Sequence, residues 1–128
     1  MWYLKEKGSY MKILLSHIIR LISFDLKKHP VYLHLQEAKK RADLGHFNEV
    51  KRHLNIARDI VGYLFNAAKE ESQIKGPLGD RAKKRFQILF MVKKYIDQAQ
   101  EKNSAQRDTE INPLIDYAAK NLEKLLSV

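Results

Sequence analysis

The chain of 128 residues contains no cysteine. That removes disulfides, thiolate nucleophiles and cysteine-ligated zinc together, and it fits a reducing compartment, so a cytoplasmic location is expected. Backbone breakers are scarce, with five glycines and three prolines, most of them at joints between periodic segments. Acid is in short supply. Against 24 Lys and Arg stand 15 Asp and Glu, a net charge of +9, which admits polyanions as partners and otherwise serves solubility. No apolar run is uninterrupted: His17, Arg20 and Asp25 break the greasiest stretch, so neither a secretory leader nor a membrane span is expected. Strict strand-like alternation is missing as well, as are a phosphate-cradling glycine loop and a G-x-S-x-G turn.

What is present is helical periodicity, with 45% hydrophobic residues to fill a core. The expected fold is all-α: a single-domain antiparallel bundle of about five helices with short connections, spanning 10–128 behind an N-terminal arm at 1–9. The first helix is placed at 10–28 and ends at His29-Pro30, because a residue before proline is pushed out of helical conformation. The second starts at Pro30, where a missing N–H costs nothing, and ends at Leu44 with Gly45 as a positive-φ stop. The third, 47–72, repeats Phe47, Val50, Leu54, Ala57, Val61, Leu64 and Ala68 at alternating spacings of three and four. Gly62 within it suggests a close helix crossing. After "KGPLGD", Asp80 is the expected N-cap of a fourth helix at 81–102, with Ala82, Phe86, Leu89, Val92, Ile96 and Ala99 inward. A fifth starts around 109–113, with Pro113 tolerated in its first turn, and runs to about 127 with Ile111, Ile115, Ala118, Leu122 and Leu125 on its apolar face.

The stretch "EAKKRADLGHFNEVKRHLNIA" (37–57), with Ala38, Gly45-His46-Phe47 and Ala57, resembles the turn of a tetratricopeptide hairpin. It covers 21 residues, and no second copy follows at about 34 residues, as an array requires. The general layout is similar to the small helical chaperones of secretion systems, which bind a helix of an export substrate and are usually less basic. Arg41 and His46 form an R-x4-H spacing that resembles the short motif of some all-helical ribonucleases, where Arg orients a phosphate and His moves a proton. Here the spacing crosses the turn at Gly45, so a ribonuclease is the remote alternative.

Catalytic chemistry finds little else. His17, His29, His34, His46 and His53 are scattered without the zinc spacing of H-E-x-x-H, so no metal or cofactor is expected. Glu70-Glu71, Asp97-Glu101 and Asp108-Glu110 sit beside basic residues and read as solvated ion-pair partners. The expectation is a protein that is not an enzyme.

Two surfaces invite a binding reading. Basic clusters at Lys39, Lys40, Arg41, Lys51 and Arg52, and at Lys83, Lys84, Lys93 and Lys94 on the helix that also holds Arg81 and Arg85, could follow a phosphate backbone. The aromatics among them are expected in the core, so no stacking platform is anticipated. The other surface is the first helix. Lys12, Ser16, Arg20, Ser23 and Lys27 make one polar stripe about 80° wide at 100° per residue. Around it run Met11, Ile13, Leu14, Leu15, Ile18, Ile19, Leu21, Ile22, Phe24 and Leu26. Roughly 240° of apolar arc is far more than one packed face needs, and exposed apolar patches mark interaction sites. The leading expectation is therefore an adaptor or chaperone-like protein-interaction module. It docks a protein partner, or a second copy as a homodimer, through Trp2, Tyr3, Leu14, Leu15, Ile18, Ile19 and Ile22. The runner-up is nucleic-acid binding through the basic clusters, which would equally suit an acidic protein.

Overall fold

The architecture was obtained as a computed structural model, which describes residues 26–128 and, before them, Leu14 within a helix. The remainder of the first expected helix, the N-terminal arm and the docking residues Trp2, Tyr3, Leu15, Ile18, Ile19 and Ile22 lie outside the described residues. Among residues 26–128 the chain is all-helical, with four α-helices, against about five expected for the whole chain: α1 (Pro30–Asp43), α2 (Phe47–Glu71), α3 (Pro77–Ser104) and α4 (Asp108–Leu125). Leu26–Lys28 form a short 3-10 turn ahead of α1.

Each helix packs on the next, and α1 also meets α4. The contacts fix the helix directions. Asn55 pairs with Gln100 and Arg58 with Asp97, so residues rise along α2 as they fall along α3. Lys39 with Asp116, and Asp43 with Asn112, do the same for α1 and α4. The shared core is Val31, Leu35, Ala38 and Ala42 from α1, the expected three-four series from α2, Leu89, Val92, Ile96 and Ala99 from α3, and Ile111, Ile115, Ala118, Leu122 and Leu125 from α4. Burial of each large aliphatic contributes about 1.5–3 kcal/mol. Two inward assignments need adjustment: Phe47 and Phe86 are only partly buried and pack on the rim of this core.

The ends of the helices follow local chemistry. α1 begins as expected at Pro30, with His29 as N-cap, its Nδ1 accepting from the Val31 N–H at 3.2 Å. α1 ends in a Schellman motif: Gly45 N–H bonds the Ala42 carbonyl and His46 N–H that of Arg41, with Gly45 at φ +71. The end of α3 repeats this pattern without glycine. Gln106 takes φ +55, and Gln106 and Arg107 N–H bond the Asn103 and Lys102 carbonyls.

Three expectations fail here. α3 starts at Pro77, not Arg81, so Asp80 is a first-turn residue and Gly76, at φ +96, holds the N-cap position. Proline at the first helical position extends the helix backwards, and an acid in the first turn still suits the helix dipole. Gly62 marks no close crossing, since a Cβ there would meet nothing within 4 Å. The close approach is at Gly79, where a Cβ would collide with the Ile74 backbone carbonyl. Finally, α4 starts at Asp108, which puts Pro113 sixth in the helix and beyond the first turn. The ring there removes one interior backbone donor.

Candidate interaction surfaces

Leu14 is the one member of the expected docking set that falls within the described residues. It is helical and 42% exposed, so a large aliphatic side chain of the apolar stretch faces solvent.

The basic residues behave differently from a single phosphate-binding track. Lys39 is ion-paired to Asp116 at 2.8 Å, Arg41 to Glu37 at 3.2 Å and Arg52 to Glu49 at 3.1 Å. Lys40, Lys51, Lys83, Lys84 and Lys94 are exposed and make no ion pair among the described residues. Asn103, at the end of α3, donates to the Phe47 carbonyl at 3.0 Å. That contact places the 39–52 cluster beside the C-terminal end of α3, about 30 Å along the helix from Lys83 at 1.5 Å per residue. The 39–52 cluster thus lies at one end of the body and Lys83 and Lys84 at the other, with Lys93 and Lys94 between them, about 15 Å along the helix from Asn103. Arg85 leaves the basic surface altogether. It is 5% exposed and its guanidinium donates to the Glu71 carboxylate, itself 2% exposed, at 2.7 Å. Glu71 is thus no solvated partner. The sequence held a signal for this pair: 82, 85, 89, 92, 96, 99 is a more regular seam on α3 than one through Phe86, and 71 continues the series of α2.

The aromatics also depart from expectation. Phe65 on α2 stacks on Phe86 of α3 with ring centres 4.4 Å apart, and Phe90 lies 6.5 Å from Phe65 while remaining 54% exposed. The Lys93 ammonium sits 5.8 Å from the Phe65 ring centre, within cation–π range. Phe65, Phe90, Lys93, Lys94, Asp97, Gln98 and Glu101 line a shallow groove of about 340 Å³. Lysines flank the aromatic end and carboxylates the other, and Asp97 is held by Arg58 at 3.0 Å. The groove is thus of mixed charge, with an apolar floor at its lysine end.

The Arg41/His46 spacing forms no shared helical face. His46 is exposed at the N-cap position of α2 without a side-chain capping bond, while Arg41 turns to Glu37. The histidines that do meet are His34 of α1 and His53 of α2, with Nδ1 atoms 3.1 Å apart. Burial, the neighbouring His34 and Arg52 push His53 below the usual histidine range, against a weaker upward pull from Glu37 and Glu49. Burial also lowers His29 to about 4. Nothing in the linear spacing of 34 and 53 announces this pair; only the packing of α1 on α2 creates it. Among the described residues no group of three or more His, Cys, Asp or Glu is placed to hold a metal ion, and no helix is long and apolar enough to cross a membrane.

The fold thus defines a class, that of small all-helical proteins with one shared core. Compared with protein-family models, curated proteins and solved structures, the chain shows no match to any.

Proposed function

We propose that this protein is a non-enzymatic helical interaction module, adaptor or chaperone-like, that docks another polypeptide or a second copy of itself through the apolar surface of residues 11–26. The observation that carries the reading is Leu14, helical and exposed within a stretch where large aliphatics dominate. Leaving such side chains in water costs about 25 cal/mol per Å², and a partner that covers them recovers that free energy. Light scattering across a concentration series tests it. The wild-type mass should rise from 15.0 kDa toward twice that value, and Leu14→Glu should hold it at 15.0 kDa. A wild type that stays at 15.0 kDa throughout, with the same binding of an apolar dye as Leu14→Glu, would overturn the proposal.

A second reading, binding of single-stranded nucleic acid, is supported by one observation: Phe90 is exposed beside Lys93 and Lys94. Base stacking on an aromatic contributes about 1–3 kcal/mol. Under this reading a labelled oligonucleotide binds at low salt, binds more weakly at high salt, and loses affinity in Phe90→Ala. No binding at low salt ends it.

A further inference from the structure

We propose that the seam between α1 and α2 is an acid-sensitive clasp in which His34 and His53 share a single bridging proton and cannot both be charged. The geometry carries it. The ring centres are 5.3 Å apart and the Nδ1 atoms 3.1 Å apart, so each ring points its Nδ1 nearly straight at the other. Two bare lone pairs would repel, and two N–H groups would collide. The contact needs one donor and one acceptor, hence opposite tautomers in the neutral pair. Either ring can take the acceptor role, with the other as donor. One added proton is tolerated, because the donor ring, once an imidazolium, still donates. A second must go on the accepting Nδ1, which removes the bond and sets two like charges in contact.

The charged groups around the pair do not rescue the doubly charged state. Arg52 opposes it. Glu37 and Glu49 favour it, yet each is already engaged, with Arg41 and Arg52 respectively. One turn earlier, His29 adds a second acid-sensitive hold on the same helix. Its Nδ1 is the acceptor that caps α1, and the residue is buried, so a proton there removes the cap. Acid therefore loosens α1 first. Residues 11–28 run directly into α1, so the clasp would also govern the docking stretch; that consequence alone rests on the function proposed above.

The test is nitrogen-detected NMR of the histidine rings in the full chain, with amide hydrogen exchange on the same sample. Near pH 7.5 one ring of the pair should carry its proton on Nδ1 and the other on Nε2. As the pH falls from about 6.5 to 4.5, the amides of Leu35 to Ala38, corrected for intrinsic rate, should exchange at least about tenfold faster relative to those of α4, the change that accompanies one unit of pKa difference. His29→Asn keeps a capping acceptor without a titrating ring, so the acid response left in that variant no longer includes the cap. His53→Gln in that background should flatten it. Two Nε2–H rings near pH 7.5, or α1 protection that stays level with α4 in acid, would overturn the clasp. Neither readout depends on oligomeric mass, so the docking proposal and this one can fail separately.

Discussion

Helix α2 has two neighbours and is joined to them in opposite ways. Toward α1 its polar contact is a pair of histidine rings, His34 and His53. Toward α3 it is a buried arginine–carboxylate pair, Arg85 and Glu71, beside stacked Phe65 and Phe86 and the more exposed Arg58–Asp97 and Asn55–Gln100 contacts. The first seam depends on groups that must stay uncharged or share a proton. The second depends on charges that must stay together. Buried charge holds only while its partner is present; a neutral imidazole holds only while the solution is not acidic. One helix is therefore fastened firmly on one side and conditionally on the other.

The largest effect should come from the α2–α3 seam. Arg85→Ala takes the arginine from a buried carboxylate and should cost about 3–5 kcal/mol in urea unfolding at neutral pH. Replacing both partners, as Arg85→Met with Glu71→Leu, should recover most of that loss, since an apolar pair of similar volume removes the desolvation cost as well. A double variant as unstable as the single one would break the contrast.

Acid should act on the other seam. His29 has a folded pKa of about 4 against an ordinary 6.5. Between those values the unfolded chain binds a proton that the folded chain refuses, so stability is complete above about pH 6.5 and declines as the pH falls toward 4. The depressed pKa of His53 acts in the same direction. For His29 the loss should reach about 2–3 kcal/mol. Unfolding curves at stepped pH measure it, and His29→Asn should make the profile shallower.

Smaller effects belong to the turns. Gly45→Ala, in the turn that joins α1 to α2, forces an L side chain to φ +71 and should cost about 1–2 kcal/mol. Gln106→Gly, in the corresponding turn from α3 to α4, relieves the same strain and should stabilise by about 0.5–1 kcal/mol. Melting temperatures moving in opposite directions would show that the two turns differ in residue and not in geometry.

These two turns also explain what was readable in advance. Gly45 announces a helix end because glycine is the residue that left-handed backbone favours. Gln106 adopts the same backbone without advertising it, held by its own N–H on the Asn103 carbonyl and that of Arg107 on the Lys102 carbonyl. The core faces of α2 and α4 were legible except at Phe47, which lies on the rim, since their three-four spacing admits one inward face. α3 was legible except at its start, at Phe86, which lies on the rim, and at Arg85, whose charge argued for the surface while its position in the seam argued for burial. The aromatic groove was misread for the converse reason. Phe90 looks like a core residue by type, but its angle on α3 leaves it at the edge of the α2–α3 contact.

By itself the sequence determined the all-helical class, the bounds of α1 and α2 to within a residue, the aliphatic core of α2, α3 and α4 and the excess of positive charge. Those follow from periodicity, proline and glycine, which act within a few residues along the chain. Only the tertiary structure decided which charges are buried, that two distant histidines meet head-on, and that the basic residues are spread along the body instead of forming one track. Each of these depends on which side chains from different helices share a small volume, and desolvation and proton sharing are settled there, not in the order of the residues.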